Sequence, residues 1–181
     1  MARVKLVEKE QADPTIREVF QILEDLKIPL SNIFKAVGNC PKIGRNFIEL
    51  GNSLLNPEFI DTKLRELVIL RVGNLLHSDY EFTHHARIGL KAGLTKDQLQ
   101  DLSAWKYSDK FSEMERAVLQ YTDEVTLDVR VSDSTFANLK THFDDPGIVK
   151  LTTIIGYYGM VSRLLEALQI ELEPWVKPFI P

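Results

Sequence analysis

Apolar residues recur at steps of three and four along nearly the whole of this 181-residue chain, which is the spacing of amphipathic helices. The pattern predicts an all-α protein. Asp13 and Pro14 form a typical helix start, an N-cap followed by a proline in the first turn. Further helices are predicted to begin at Ser31, Pro41, Asp61, Ser134 or a neighbour, and Asp145, the last being a long apolar helix that runs to about Leu168.

Three capping boxes mark additional helix entrances. Each pairs a Ser or Thr with a Glu or Gln three residues later: Ser78 with Glu81, Thr95 with Gln98, and Ser112 with Glu115. The chain carries no Gly/Ser-rich linker, so we expect residues 1–181 to form a single domain. The last segment, 170–181, is interrupted by prolines and is apolar, and we expect this tail to pack on its own subunit or on a neighbouring one.

Composition and charge exclude several classes of protein. Hydrophobic residues make up 44% of the chain and charged residues 27%, as expected for a globular protein whose core needs no metal or disulfide. The net charge of −4 comes from acidic and basic residues mixed along the chain, and no apolar run is long enough to cross a membrane. The N-terminal residues do not resemble a signal peptide. We therefore expect a cytoplasmic protein that binds neither nucleic acid nor membrane.

The chain has a single cysteine, Cys40, which cannot form an internal disulfide. It lies next to Pro41, far in sequence from the candidate chemistry described below. We expect Cys40 to be a small core residue.

The candidate chemistry lies in a predicted helical hairpin between Asp61 and Leu94. Its first helix is apolar around most of its circumference but carries Glu66. A helical wheel places Arg65 and Arg71 about 100° and 140° away from Glu66, so we expect no cation of the same helix to neutralise this carboxylate. An unpaired buried carboxylate is costly, and a partner is therefore expected from another helix.

The second helix of the hairpin offers that partner. Residues predicted to face inward are Ser78, Glu81, Phe82, His85, Ile88, Gly89 and Ala92; Tyr80, Thr83, Arg87 and Lys91 lie behind this face, and His77 and His84 flank it. If the two helices pair antiparallel, the helical rise places Glu66 about 16 Å and His85 about 13 Å from the turn, so the two lie at matching depth. Gly73 lies close to the depth of Glu81 and leaves room beside it. One groove is thus predicted to hold two carboxylates, an imidazole and a hydroxyl.

Each of these residues also has a structural explanation. Ser78 and Glu81 can form a capping box without any function, and a pair of Glu66 and His85 can hold two helices together in a non-catalytic oligomer. His77, Glu81 and His84 or His85 have a spacing compatible with a metal ion. No further ligand is evident elsewhere in the sequence, so we expect no metal.

Three segments of the hairpin, 65–72, 78–85 and 92–95, resemble the carboxymuconolactone decarboxylase family, which also contains alkylhydroperoxidase D. The resemblance implies an alkylhydroperoxidase D-like helical bundle built around the antiparallel hairpin, a family core over residues 60–125, and a homo-oligomer, either a trimer or a hexamer. Peroxidase members use a Cys-x-x-Cys pair with a Glu and a His, which here would fall on Ser78, Glu81, Glu66 and His85. Because peroxide reduction needs a thiolate, the missing cysteines disfavour that activity. A thiol peroxidase acting through Cys40 is the second hypothesis.

The decarboxylase members resemble this chain at Glu81 and His85, and their reaction needs acid/base chemistry without a cofactor. The resemblance therefore implies a decarboxylase, or a related lyase or isomerase, that acts on a small unsaturated lactone or keto acid. His85 would transfer the proton, while Glu66 and Glu81 would orient the His85 imidazole and tune its charge. Residues expected to contact the substrate are Ser78, Tyr80, His84 and Trp105.

Overall fold

The structure, a computed structural model, describes residues 1–179; residues 180 and 181, which end the predicted tail, lie outside the described residues. Every regular element formed by residues 1–179 is helical, which confirms the all-α prediction. The α-helices are α1 (Pro14–Asp25), α2 (Asn32–Val37), α3 (Pro41–Leu54), α4 (Thr62–Leu75), α5 (Asp79–Lys91), α6 (Lys96–Asp101), α7 (Glu113–Leu127), α8 (Asp133–Lys140) and α9 (Asp145–Leu168). Short 3-10 helices span Lys9–Gln11 and Leu102–Tyr107.

Side-chain caps explain why most of these helices begin where they do. The carboxylates of Asp13 and Asp61 each accept a hydrogen bond from a backbone N–H of the first turn of α1 and α4. The capping boxes predicted at Thr95 and Ser112 are complete, with both reciprocal hydrogen bonds present. The pattern in the sequence therefore predicted these helix starts for the right physical reason.

The third predicted capping box, at Ser78, is wrong. Ser78 is the N-cap of α5, but its side chain makes no capping hydrogen bond. Its ψ angle is 91°, whereas the capping residues Thr95 and Ser112 have ψ angles of 159° and 166°. Because of this different backbone geometry, the Ser78 hydroxyl does not reach the usual capping position over the first turn of α5.

The described residues form two compact units. Residues 1–56 and 164–177 form the first unit, and the second runs from 57 to 163 and includes the tail from Pro178. The expectation of a single domain remains a prediction.

The first unit is built on the buried faces of α1, α2 and α3. Its core includes Ile16, Phe20, Ile33 and Phe47, which the helical periodicity brings to one side of each helix. In this unit the tail is anchored by Glu173, whose buried carboxylate accepts a 2.7 Å hydrogen bond from the backbone N–H of Asn32 at the start of α2.

The second unit is organised around α4, which is buried from Leu64 to Gly73. This helix packs against α5 and α7, and the 3-10 helix Leu102–Tyr107 also contacts it. At the end of the described tail, the backbone N–H of Phe179 donates to Thr83 Oγ1 at 3.2 Å, and its ring lies near that of Phe82 on α5. The helix that carries Glu66 is therefore the central element of this unit.

Within residues 1–179, no helix has both the length and the apolar character needed to cross a bilayer.

Candidate functional site

The turn between α4 and α5 sets the geometry of the candidate site. His77 adopts a left-handed conformation, with φ of 54°, and its N–H donates to the carbonyl oxygen of Asn74 at 3.3 Å. The N–H of Ser78 donates to the carbonyl oxygen of Gly73 at 2.8 Å. These two bonds form a Schellman motif, which ends α4 and lets the chain reverse.

Gly73 allows the two helices of the hairpin to approach closely at this end. A Cβ atom added at Gly73 would lie 3.4 Å from Glu81 Cβ and 3.6 Å from the backbone N of Phe82. The prediction that a small residue faces Glu81 is confirmed. At these distances an added methyl group would make ordinary van der Waals contact with the first turn of α5, so the room left beside Glu81 is about that of one methyl group.

The central contact of the site joins the two helices. Glu66 Oε2 on α4 lies 2.7 Å from His85 Nδ1 on α5, so the depth matching predicted from the helical rise is confirmed. The Glu66 side chain is fully buried, whereas 13% of the His85 side chain is exposed. A buried carboxylate therefore holds an imidazole whose surface is still within reach of solvent.

Arg65 supplies the contact that the helical wheel excluded. Its Nε and Nη2 atoms donate to Glu66 Oε1 at 3.0 and 2.9 Å, so the expectation that no cation of the same helix pairs with Glu66 is wrong. The wheel gives the direction of each Cα–Cβ bond, but an arginine side chain is long enough to fold back toward its neighbour. Arg65 is itself buried, with 5% exposure, and burial favours this pairing because an isolated guanidinium would be costly there.

Glu81 lies on the other side of the imidazole. Its Oε2 atom is 3.4 Å from His85 Nε2, close enough for charge interaction but without the alignment of a hydrogen bond. Among the described residues, neither Glu81 Oε2 nor Ser78 Oγ has a hydrogen-bond partner, although both atoms are buried. The site thus contains two buried polar atoms with unused hydrogen-bonding capacity.

These contacts set the charges of the three titrating groups. Burial by itself would raise the pKa of Glu66, but the hydrogen bond and charge of His85, followed by those of Arg65, lower it below the usual 4.5. Burial would lower the pKa of His85, but the hydrogen bond to Glu66 and the charges of Glu81 and Glu66 raise it above 6.5. Burial raises the pKa of Glu81 above 4.5, and the charges of His85 and His84 offset only part of this.

Two tyrosines of α9, neither of which was predicted from the sequence, complete the surroundings of His85. The ring of Tyr158 meets the imidazole edge to face, with centroids 5.0 Å apart and an interplanar angle of 85°. Tyr157 meets the Tyr158 ring in the same way at 5.3 Å. Burial raises the pKa of both hydroxyls, so both tyrosines are neutral. The sequence did contain a signal that could have identified them, because they are two polar aromatic residues in the middle of a long apolar helix.

The predicted substrate-contacting residues fall into two groups. Tyr80 and His84 lie one turn apart on α5, the helix that carries His85, with ring centroids 4.7 Å apart and ring planes tilted by 35°. The Trp105 indole N–H instead donates to Asp123 Oδ2 at 3.1 Å, and its ring lies against Arg116. The structure therefore brings Glu66, Glu81 and His85 together, places Ser78 at the start of the helix that carries Tyr80 and His84, and engages Trp105 in another cluster.

The predicted inward face of α5 needs a correction. Tyr80 and Thr83 are buried although they were placed behind the inward face, and Ile88 is 43% exposed although it was placed on it. Thr83 is covered by the tail through Phe179, so α5 is buried on more than the single face that a helical wheel assumes. The error does not affect Glu81 or His85.

Cys40 is exposed, so its prediction as a core residue is wrong. It is the N-cap of α3 in the first unit, in the short connection that follows α2, and this position leaves its side chain outside the core. The part of the chain from residue 1 to 179 contains no group of three His, Cys, Asp or Glu side chains that could hold a metal ion.

Comparisons with known proteins agree with this architecture. The uncharacterised protein YdfG of Bacillus subtilis is 28% identical over 107 residues, which is 58% of this chain and 73% of YdfG. The alkylhydroperoxidase AhpD core of a peroxidase-related protein from Ralstonia eutropha JMP134 superimposes with a TM-score of 0.82 at 18% identity, covering 96% of this chain and 93% of that one. A variant of the debrominase Bmp8 in complex with 2,3,4-tribromopyrrole gives a TM-score of 0.78 at 19% identity, with 96% of this chain and 95% of that one covered.

The structural neighbours establish the fold, and a family model identifies the segment that carries the site. Residues 41–124, which include Glu66, Ser78, Glu81 and His85, match the model of the carboxymuconolactone decarboxylase family. At the two positions of the peroxidase cysteines the chain has Ser78 and Glu81. Over residues 41–124 the chain is therefore similar to the carboxymuconolactone decarboxylase family, and it has an alkylhydroperoxidase D-like fold without the Cys-x-x-Cys motif.

Proposed function

We propose that this protein is a cofactor-independent acid/base enzyme, a decarboxylase or a related lyase or isomerase, that acts on a small unsaturated lactone or keto acid. The observation that carries the proposal is the placement of His85 between two buried carboxylates. Its Nδ1 lies 2.7 Å from Glu66 Oε2, and its Nε2 lies 3.4 Å from Glu81 Oε2. An imidazole held in this way can both give and take a proton near neutral pH.

The two nitrogens of His85 have different roles in this proposal. An ionised carboxylate can only accept hydrogen bonds, so Nδ1 donates its proton to Glu66 and this nitrogen stays protonated. The second nitrogen, Nε2, is then the one that exchanges a proton with the substrate. Glu81 faces Nε2 and has a raised pKa, so the pair of Glu81 and His85 can hold one transferable proton between them.

The proposed reaction balances with one proton from solvent. The bond between a substrate carbon and its carboxylate breaks, carbon dioxide leaves, and the electron pair moves into the adjacent conjugated system. His85 then donates the Nε2 proton to carbon, and solvent returns a proton to the imidazole. An isomerisation uses the same groups, since removal of a proton from one carbon and its return to another needs one base that becomes an acid.

The substrate-binding groups proposed here lie at the start of α5. The buried Ser78 hydroxyl has no hydrogen-bond partner among residues 1–179, and its position at the helix N-terminus favours a carboxylate or an enolate oxygen. Tyr80 and His84 provide two neighbouring rings on the same helix. The debrominase of the same fold, in complex with a tribromopyrrole, supports a small unsaturated ring as the ligand. Contact between Trp105 and the substrate stays a prediction, and its N–H donates to Asp123.

The test is the turnover of a panel of unsaturated lactone acids and keto acids by the wild type and by His85→Ala. Loss of a general acid/base lowers kcat by about 10²- to 10⁴-fold, and we expect a loss in this range. His142→Ala is the matched control, because His142 is exposed and follows α8. Equal rates for wild type and His85→Ala would remove His85 from the mechanism and would favour a purely structural pair.

The homo-oligomeric state and the cytoplasmic location also stay predictions.

A further inference from the structure

Glu66 is shared between two basic partners through its two oxygens. Oε1 accepts hydrogen bonds from Nε and Nη2 of Arg65, and Oε2 lies 2.7 Å from His85 Nδ1. Glu66 has no exposed surface, and Arg65 is only 5% exposed. One buried carboxylate thus neutralises a permanent cation and holds a titrating one.

The permanent cation changes what happens when His85 becomes neutral. If His85 were the only partner, loss of its proton would leave the Glu66 carboxylate buried without a compensating charge, which is strongly unfavourable. With Arg65 in place, the ion pair of Arg65 and Glu66 remains neutral as a unit. The positive charge of Arg65 also opposes protonation of His85 directly.

Titratable and charged groups on three helices lie on His85 or on its immediate neighbours. Glu66 and Arg65 come from α4, Glu81 and His84 from α5, and Tyr157 and Tyr158 from α9. Glu66 and Glu81 favour the protonated imidazole, His84 acts on Glu81, and the two tyrosines are neutral. Arg65 is the group within this set whose charge favours the neutral imidazole.

We propose that Arg65 is a positioning residue that compensates the Glu66 carboxylate and thereby lets His85 release its proton. The importance of this effect for catalysis rests on the proposed function. The effect itself concerns the proton on His85 and can be measured without a substrate.

The experiment is an NMR titration of the His85 imidazole in the full chain. In Arg65→Gln, we expect His85 to titrate at higher pH than in the wild type, so that its neutral fraction at a fixed pH near neutrality falls severalfold. Arg65→Lys retains the charge and should return the titration most of the way to that of the wild type. Arg71→Gln is the matched control, because Arg71 is an equally buried arginine of α4 that pairs with Asp123. An unchanged or lower titration midpoint in Arg65→Gln, or an equal shift in Arg71→Gln, would overturn the proposal.

A second measurement needs no variant and covers the case in which Arg65→Gln does not fold. The carboxyl carbon of Glu66 is followed by NMR while His85 of the wild type is titrated. The proposal requires that Glu66 stay ionised while His85 loses its proton, and protonation of Glu66 in that range would overturn it. If these NMR results hold but His85→Ala retains full activity, the proposed function fails and the role of Arg65 stands. If His85→Ala is inactive but Arg65→Gln does not shift the His85 titration, the proposed function stands and the role of Arg65 fails.

Discussion

Two buried arginines of α4, Arg65 and Arg71, form clusters that differ in one respect. In the Arg71 cluster, defined as Arg71, Asn74, Trp105 and Asp123, every guanidinium nitrogen donates a hydrogen bond and both Asp123 oxygens accept one or more. In the site cluster, defined as Arg65, Glu66, Glu81 and His85, one oxygen of Glu81 has no hydrogen-bond partner among the described residues.

The difference separates a structural ion pair from a candidate reaction centre. A buried polar network stabilises a fold when each of its polar groups has a hydrogen-bond partner. The Arg71 cluster meets this condition, and two hydrogen bonds join Arg71 to Asp123. The site cluster keeps an incompletely satisfied carboxylate beside a titrating imidazole, which is costly for stability but useful for proton transfer. Saturation of hydrogen bonds is therefore a better guide to function here than burial or charge, which the two clusters share.

The largest expected effect on stability concerns the Arg71 cluster. Asp123→Ala would leave the Arg71 guanidinium buried without its carboxylate and the Trp105 N–H without its acceptor. We expect a loss of about 3–5 kcal/mol in the free energy of unfolding, measured by urea denaturation. Glu81→Gln keeps the volume of a side chain that has an unused oxygen, and it should cost much less.

The stabilities of Asp123→Ala and Glu81→Gln test the contrast between the Arg71 cluster and the site cluster. If Asp123→Ala and Glu81→Gln destabilise equally, hydrogen-bond saturation does not distinguish the two clusters. A loss below about 1 kcal/mol in Asp123→Ala would likewise show that the bidentate pair contributes little. Activity per folded molecule should be retained in Asp123→Ala, because this residue belongs to the structural cluster.

The next effect is the pH dependence of stability in the site cluster. The pKa of His85 is raised above 6.5, so its contribution is fully present below pH 6.5 and is lost as the pH rises through its value in the folded state. The pKa of Glu66 is lowered below 4.5, so its contribution is present above pH 4.5 and is lost as the pH falls through its folded value. Together they stabilise the fold most between pH 4.5 and 6.5.

His85→Gln tests this window. The difference in free energy of unfolding between wild type and His85→Gln should be largest between pH 4.5 and 6.5 and should shrink at higher pH. Denaturation curves at pH values from acid to mildly alkaline give this difference directly. A difference that grows with rising pH would have the wrong sign and would exclude a charged His85 and Glu66 pair in the folded state.

The sequence predicted the parts of the site that depend on regular backbone geometry. The rise per residue of two antiparallel helices was enough to pair Glu66 with His85, because every helix shares that value. The contact of Arg65 with Glu66 depends on side-chain torsions that a helical wheel ignores. The contact of Tyr158 with His85 depends on where α9 packs, which no local pattern encodes.

The two serines that were predicted to form capping boxes, Ser78 and Ser112, show the same limit of prediction from a local sequence pattern. Ser78 and Ser112 begin helices with the same sequence pattern, but only Ser112 caps. The difference comes from the turn before Ser78, where the N–H of Ser78 is bound to Gly73 and its ψ angle departs from that of a capping residue. Sequence pattern predicts a helix start, whereas the preceding chain decides whether the side chain caps it.

The smallest expected effect sharpens the comparison at these two serines. Ser112→Ala removes a cap that accepts from the N–H of Glu115, and it should cost about 1 kcal/mol of unfolding free energy. Ser78→Ala removes a buried hydroxyl without a partner among residues 1–179, so it should be neutral or slightly stabilising. Urea denaturation of both variants measures the contrast. If Ser78 instead binds the substrate as proposed, Ser78→Ala should raise KM while Ser112→Ala leaves it unchanged. Equal losses of stability would mean that Ser78 serves the fold in the way that Ser112 does.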